Sequence, residues 1–164
     1  MGRTIVFCGL PSDPMFYRRH LPHWFPEDCN IFVTWRLAGS RPRSTDGPVW
    51  LQDPRLASMI AEALLYGEST AKMYDLLAWV VMPNHVHAII RHHAGMAKIM
   101  QWLKGRTARK ANRILGRVQE PFWQDESFDH WIRSALEFEA LVDYVEEQPG
   151  EGGIGRGSRT LALV

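Results

Sequence analysis

The stretches YDLLAWVV (74–81), MPN (82–84) and HVHAIIR (85–91) read in succession as a strand, a tight turn and a returning strand. Both runs are rich in β-branched and apolar residues and Pro-Asn sits between them, so residues 74–91 predict a β-hairpin. Working backwards, residues 55–66 have helical periodicity behind Asp53, a good N-cap, and Pro54, which suits a first helical position; Gly67 is expected to end this helix. Before it, CNIFVTWRL (29–37) has the composition of a strand, closed by the turn formers Gly39, Ser40, Pro42, Asp46, Gly47 and Pro48. Working forwards, residues 96–115 predict the longest helix, 122–130 a short strand, and 134–148 a last helix stopped by Pro149 and Gly150. The order βαββαβ plus a helix suits an α+β fold, a ferredoxin-like antiparallel sheet with its first and third strands central. The added C-terminal helix carries Tyr144.

The surrounding composition sets the limits. With 164 residues, 46% hydrophobic and 23% charged, the chain is sized for one compact domain and is neither disordered nor fibrous. A domain of this size buries roughly 70% of its unfolded surface, so it needs no disulfide or structural metal to fold. Four prolines in residues 1–28 predict an extended N-terminal arm; residues 29–149 form the domain proper, and the glycine-rich residues 150–164 are expected to be a flexible tail. The longest apolar run, residues 76–82, is far short of a membrane span, and the early stretch 5–10 is too short for a secretion signal. Two widely spaced cysteines, Cys8 and Cys29, fit a reducing cytosol.

Charge is unevenly distributed although the net value is +1. Residues 91–118 contain eight Lys or Arg and no acid, whereas residues 119–151 contain ten acids and the single base Arg133. On a helical wheel for 96–115 the apolar residues Ile99, Met100, Leu103, Ala108, Ala111, Ile114 and Leu115 share one half, opposite Lys98, Arg106, Arg109, Lys110, Arg113 and Arg117. That basic half is either a solvated helix face or a local polyanion-binding stripe.

Three positions stand out chemically. His85 and His87 lie two apart on a strand, so both imidazoles point to one side with Cα atoms about 6.6 Å apart. They are either half-buried histidines beside a turn or two ligands converging on one divalent cation, with positions left open for substrate. Tyr144 and Gln148, four apart, share one helix face. Alone, Tyr144 reads as an anchoring aromatic; beside a metal held by two histidines, its phenol becomes a nucleophile for a phosphodiester. A free phenol ionises near pH 10, so attack at neutral pH calls for nearby positive charge, with the cation and the basic helix as the expected sources. His92 and His93 are expected to contact solvent or phosphate, and His130 is a reserve ligand or acid–base group.

The segment MPNHVHAII (82–90) resembles the His-hydrophobe-His motif of single-strand tyrosine transposases. The wider set RRHLPHW (18–24), FVTWRLAGSRP (32–42), WVVMPNHVH (79–87), LKGRTARKANRILG (103–116), FWQDESFDHWIR (122–133) and YVEEQP (144–149) is similar, in that order, to the REP-associated tyrosine transposases. The resemblance implies a ferredoxin-like core, a divalent metal, Mg²⁺ or Mn²⁺, on His85 and His87, Gln148 as third metal-binding position, and Tyr144 as the single nucleophile. It also implies a DNA transesterase that cuts and rejoins single strands beside hairpins through a 5′-phosphotyrosine, needs no nucleotide cofactor, and works in a bacterial cytoplasm near the nucleoid. Lys104, Arg106, Arg109, Lys110 and Arg113 are the candidates for DNA backbone contacts, and Trp24, Trp35, Trp102, Trp123 and Trp131 include candidate stacking platforms. A homodimer is an open alternative to a monomer, and with it a tyrosine serving its own or a partner's site. Members of the REP-associated branch more often carry asparagine at the position of Gln148 and continue into a Val-x-Ala-Gly-Leu run, where this chain reads GEGGIGRGSRTLALV. That departure makes a non-catalytic hairpin-binding protein the alternative reading, with a water-using metallonuclease as a third.

Overall fold

A computed structural model describes Phe25, residues 29–41 and 47–148, and the backbone of residues 156–158. The expected N-terminal arm, with Trp24, falls outside the described residues apart from Phe25. The elements in chain order are β1 (Asn30–Leu37), a short 3-10 turn (Trp50–Gln52), α1 (Pro54–Ser69), β2 (Tyr74–Val81), β3 (His85–His92), α2 (Met96–Ile114), β4 (Trp123–Trp131), α3 (Ala135–Glu147) and β5 (Arg156–Ser158). The strands pair antiparallel in the order β4-β1-β3-β2-β5. The first four reproduce the ferredoxin-like arrangement, with β1 and β3 central as the element order implies.

Two expectations change. Part of the segment read as a flexible tail forms β5, whose backbone pairs with Ala78, Trp79 and Val80 of β2. The outer edge of β2 would otherwise present unpaired N–H and C=O groups, which an added strand satisfies. Gly67 does not stop α1, which runs on to Ser69. A Cβ at Gly67 would run into the Tyr74 hydroxyl, while that hydroxyl donates to Leu64 O at 2.8 Å. Glycine is there to let a buried ring approach the helix backbone, not to end the helix.

Strand alternation divides the domain into two apolar layers. Ile31, Val33, Trp35 and Leu37 of β1 and Val86, Ala88 and Ile90 of β3 face the larger core, covered by α1 and α2. Phe32 and Ile89 face the opposite side, where they meet Leu141 and Val145 of α3. In β2 the register slips between Leu76 and Ala78, and this bulge changes which residues face each layer: Tyr74 and Leu76 before it, Trp79 and Val81 after it, all enter the larger core. The 3.6-residue period of α2 works as expected, burying Met96, Ile99, Met100, Leu103 and Ala111. It also buries Thr107, whose hydroxyl donates to Leu103 O at 2.6 Å and accepts from Trp123 Nε1 at 2.8 Å.

A local capping device fixes where α3 begins. Ser134 Oγ accepts from Glu137 N at 3.2 Å, and Glu137 reaches back to accept from Arg133 N at 2.8 Å and to bond His130 Nε2 at 2.7 Å. The Arg133 amide and, after it, His130 hold the Glu137 carboxyl below its ordinary pKa. His130 thus ties β4 to the start of α3, and this is the role the structure gives the reserve acid–base candidate.

Candidate functional site

On the α3 side of the sheet, the residues of β1 and β3 that do not enter the larger core form one continuous row. Cross-strand register pairs Thr34 with His87 and Arg36 with His85. Because side chains alternate, Phe32, Thr34 and Arg36 lie on the same face as His85, His87 and Ile89. α3 crosses this face and brings Tyr144 to it: the Tyr144 ring meets the His87 ring edge-on with centroids 5.5 Å apart, and Phe32 at 6.3 Å. The phenol and the imidazole pair, separated by almost sixty positions in sequence, meet within one chain.

The imidazoles are held by a hydrogen-bonded chain. His85 Nδ1 lies 2.6 Å from Asn84 Oδ1, His85 Nε2 lies 2.9 Å from His87 Nε2, and His87 Nδ1 lies 2.7 Å from Thr34 Oγ1. One proton arrangement satisfies every link: His85 donates through Nδ1 to Asn84, His87 donates through Nε2 to His85, and Thr34 donates to His87 Nδ1. Phe32 stacks on His87 with centroids 5.3 Å apart and an interplanar angle of 20°. Burial first, then the His85 charge at His87 and the Arg36 charge at both rings, hold the pKa of His85 down at about 4 and that of His87 at about 3. Both rings are therefore neutral at pH 7, the state in which imidazole binds a metal.

The donor set is compatible with a divalent cation but small. The two Nε2 atoms are 2.9 Å apart, close to the roughly 3 Å between adjacent ligands of an octahedral ion. Binding through both would require His87 to move its proton to Nδ1 and donate to Thr34 Oγ1, so Thr34 would orient that ring in either tautomer. Among the described residues no group of three His, Cys, Asp or Glu side chains surrounds a metal position. Gln148, expected as the third ligand, is the C-cap of α3, and its Nε2 donates to Tyr144 O at 3.2 Å. That bond uses the amide nitrogen and not Oε1, the atom a metal would take.

The basic residues divide. Lys104 Nζ donates to the carbonyls of Gln124, Asp125 and Glu126 at 3.0, 3.1 and 3.0 Å, which makes it a clamp between α2 and β4 rather than a contact held out for DNA. Arg106 lies over the Tyr66 and Trp102 rings at 4.7 and 5.6 Å, and Arg109, Lys110 and Arg113 are exposed. All five are on α2, across the sheet from Tyr144. The positive charge near the phenol is instead Arg36, whose pKa burial lowers and the Tyr144 oxygen raises. Composition gave no sign of Arg36. The usable signal was the alternation of Phe32, Thr34 and Arg36 in β1, which acquires meaning only once the register with β3 is known.

Other candidates settle into structural roles. Trp35 and Trp123 are buried core residues, while Trp102 and Trp131 are half-buried under Arg106 and Arg133. His92, expected to face solvent or phosphate, is 8% exposed and lies 3.5 Å from Cys29 Sγ. His93 points outward and pairs with Asp75 at 3.1 Å.

The family model for IS200-like transposases matches residues 54–148, a span holding both histidines and Tyr144. A solved REP-associated tyrosine transposase bound to a REP hairpin is similar in fold, with 18% identity, a TM-score of 0.54, and coverage of 78% of this chain and 70% of that one. A solved Deinococcus radiodurans structure of a candidate transposase aligns with 80% of this chain and 98% of its own at 15% identity and a TM-score of 0.47. No curated protein matches the sequence. No helix among the described residues is long and apolar enough to cross a membrane.

Proposed function

We propose that this chain, which belongs to the IS200-like transposase family, carries out its DNA-processing role as a single-strand transesterase acting beside DNA hairpins. The observation that carries the reading is the meeting of the Tyr144 ring with His87, 5.5 Å between centroids, inside one chain. In this mechanism the phenol oxygen of Tyr144 attacks phosphorus, the bond from phosphorus to the 3′ oxygen breaks, and that oxygen leaves as a hydroxyl after taking a proton. A 5′-phosphotyrosine remains, and a 3′-hydroxyl can later attack it to rejoin strands and restore the phenol. One phosphodiester is exchanged for another, so no nucleotide cofactor is needed.

His85 and His87 would hold Mg²⁺ or Mn²⁺, which supplies charge neutralisation at the phosphate when bound. Thr34 and Asn84 orient the two rings, and Phe32 seals the back of His87 from water. The exposed residues Arg109, Lys110 and Arg113, with Arg106, would contact the DNA backbone on the far side of the sheet, consistent with a hairpin held apart from the strand being cut.

A hairpin oligonucleotide with a single-stranded flank, incubated with the protein and Mn²⁺, tests this. A covalent adduct that survives denaturation is expected for the wild type and not for Tyr144→Phe. The departure of the sequence after Gln148 from the related branch favours one second reading, a hairpin-binding protein without turnover, which would bind tightly and form no adduct. Cleavage that persists in Tyr144→Phe but is lost in His87→Ala would instead indicate water as the nucleophile.

A further inference from the structure

Arg36 is a half-buried guanidinium that, among the described residues, has neither a hydrogen-bond nor an ion-pair partner. An arginine drawn part-way out of water ordinarily meets a carboxylate, because its desolvation otherwise goes uncompensated. Its neighbours on β1 and β3 cannot compensate it. Its cross-strand neighbour is His85, the next side chains on its own face are Thr34 and Phe32, and His85 and His87 are neutral rings already bonded to Asn84, to each other and to Thr34. The Tyr144 oxygen lies close enough to favour its charge. A fork of five donors therefore lies on the same sheet face as the phenol and the imidazoles, with no anion paired to it among the described residues.

We infer that Arg36 is the phosphate-contacting side chain of this site, donating to the non-bridging oxygens of a phosphodiester laid against Tyr144. A planar guanidinium can take two such oxygens at once, which would fix the phosphate's orientation as well as its charge. The inference rests on the reading of the site as one for nucleic acid, and it adds a residue to the tyrosine and histidines. Its role is independent of which metal is bound, and it does not require the basic face of α2, which lies across the sheet. It also explains why a strand otherwise built for burial carries a charge at this register position.

The test uses the full chain in EDTA, so that the arginine is read without metal. Protein labelled in its histidine rings is titrated with the dinucleotide dTpdT and, separately, with the uncharged methylphosphonate of the same dinucleotide, following the His85 and His87 signals by NMR. The wild type is expected to bind the charged diester at least about tenfold more tightly than the neutral one, the scale of a charge-assisted hydrogen bond. Arg36→Gln should erase that preference and Arg36→Lys retain part of it. Arg36→Gln should also keep or raise the thermal midpoint, since it removes an unpartnered charge, whereas a structural arginine would lower it. A preference unchanged in Arg36→Gln, or no preference in the wild type, overturns the inference. An Arg36-dependent preference in a protein that forms no Tyr144 adduct upholds it while sinking the covalent mechanism, so the two failures are distinguishable.

Discussion

His87 is the residue on which the site turns, since it touches Thr34, His85, Phe32 and Tyr144 at once. Burial keeps it and His85 neutral, with pKa values of about 3 and about 4 against an ordinary 6.5. Unfolding returns both to the ordinary value, so below about pH 6.5 the unfolded chain takes up protons that the folded one refuses. The sign follows: stability is complete above that pH and declines as the pH falls toward the folded values. Urea unfolding of metal-free protein should show a lower midpoint at about pH 5 than at about pH 7.5, and the double variant His85→Gln/His87→Gln should lose less over that interval. Equal losses in the two proteins would contradict a buried neutral pair. Thr34→Val leaves His87 Nδ1 without its partner and should weaken Mn²⁺ binding at least about tenfold in a direct titration, with the fold retained. The two histidines and Tyr144 were legible in the sequence because their spacing and resemblance single them out. Thr34, Phe32 and Arg36 were not, because only strand register shows that they face the same space.

At the level of elements, the helices carry information that composition misassigned. Gly67 looked like a stop signal and proves to be a point of close approach, so Gly67→Ala should cost about 1–3 kcal/mol through the clash with Tyr74, measurable by denaturant unfolding. Within α2 a run of similar charges conceals two jobs. Lys104→Met should lower stability by about 1–2 kcal/mol by releasing three β4 carbonyls, while the triple variant Arg109→Gln/Lys110→Gln/Arg113→Gln should leave stability within about 0.5 kcal/mol and flatten the salt dependence of DNA binding. If the triple variant binds DNA with an unaltered salt slope, the basic face is only a solvated surface. Helix and strand boundaries were legible to within a residue or two where capping chemistry marks them, as at Asp53 and Ser134. β5 was not, because a short strand in a glycine-rich segment leaves no periodicity to read.

For the whole molecule, the sheet separates two sets of residues. Its α1 and α2 side holds the larger core and displays the basic face; its α3 side holds the imidazoles, the phenol and Arg36. The element order implied the ferredoxin-like sheet and its central strands, and both are present. It did not imply that the basic helix and Tyr144 lie on opposite sides, since that depends on which face each crossover covers. Tyr144 and His87 meet within one chain. The central claim is a covalent one, and mass spectrometry of the denatured, protease-digested product of protein, hairpin oligonucleotide and Mn²⁺ tests it most directly. The account predicts a nucleotide mass attached to the peptide containing Tyr144, absent in Tyr144→Phe and strongly reduced in His87→Ala. Cleaved DNA with no peptide adduct, or an adduct on any other residue, would contradict it.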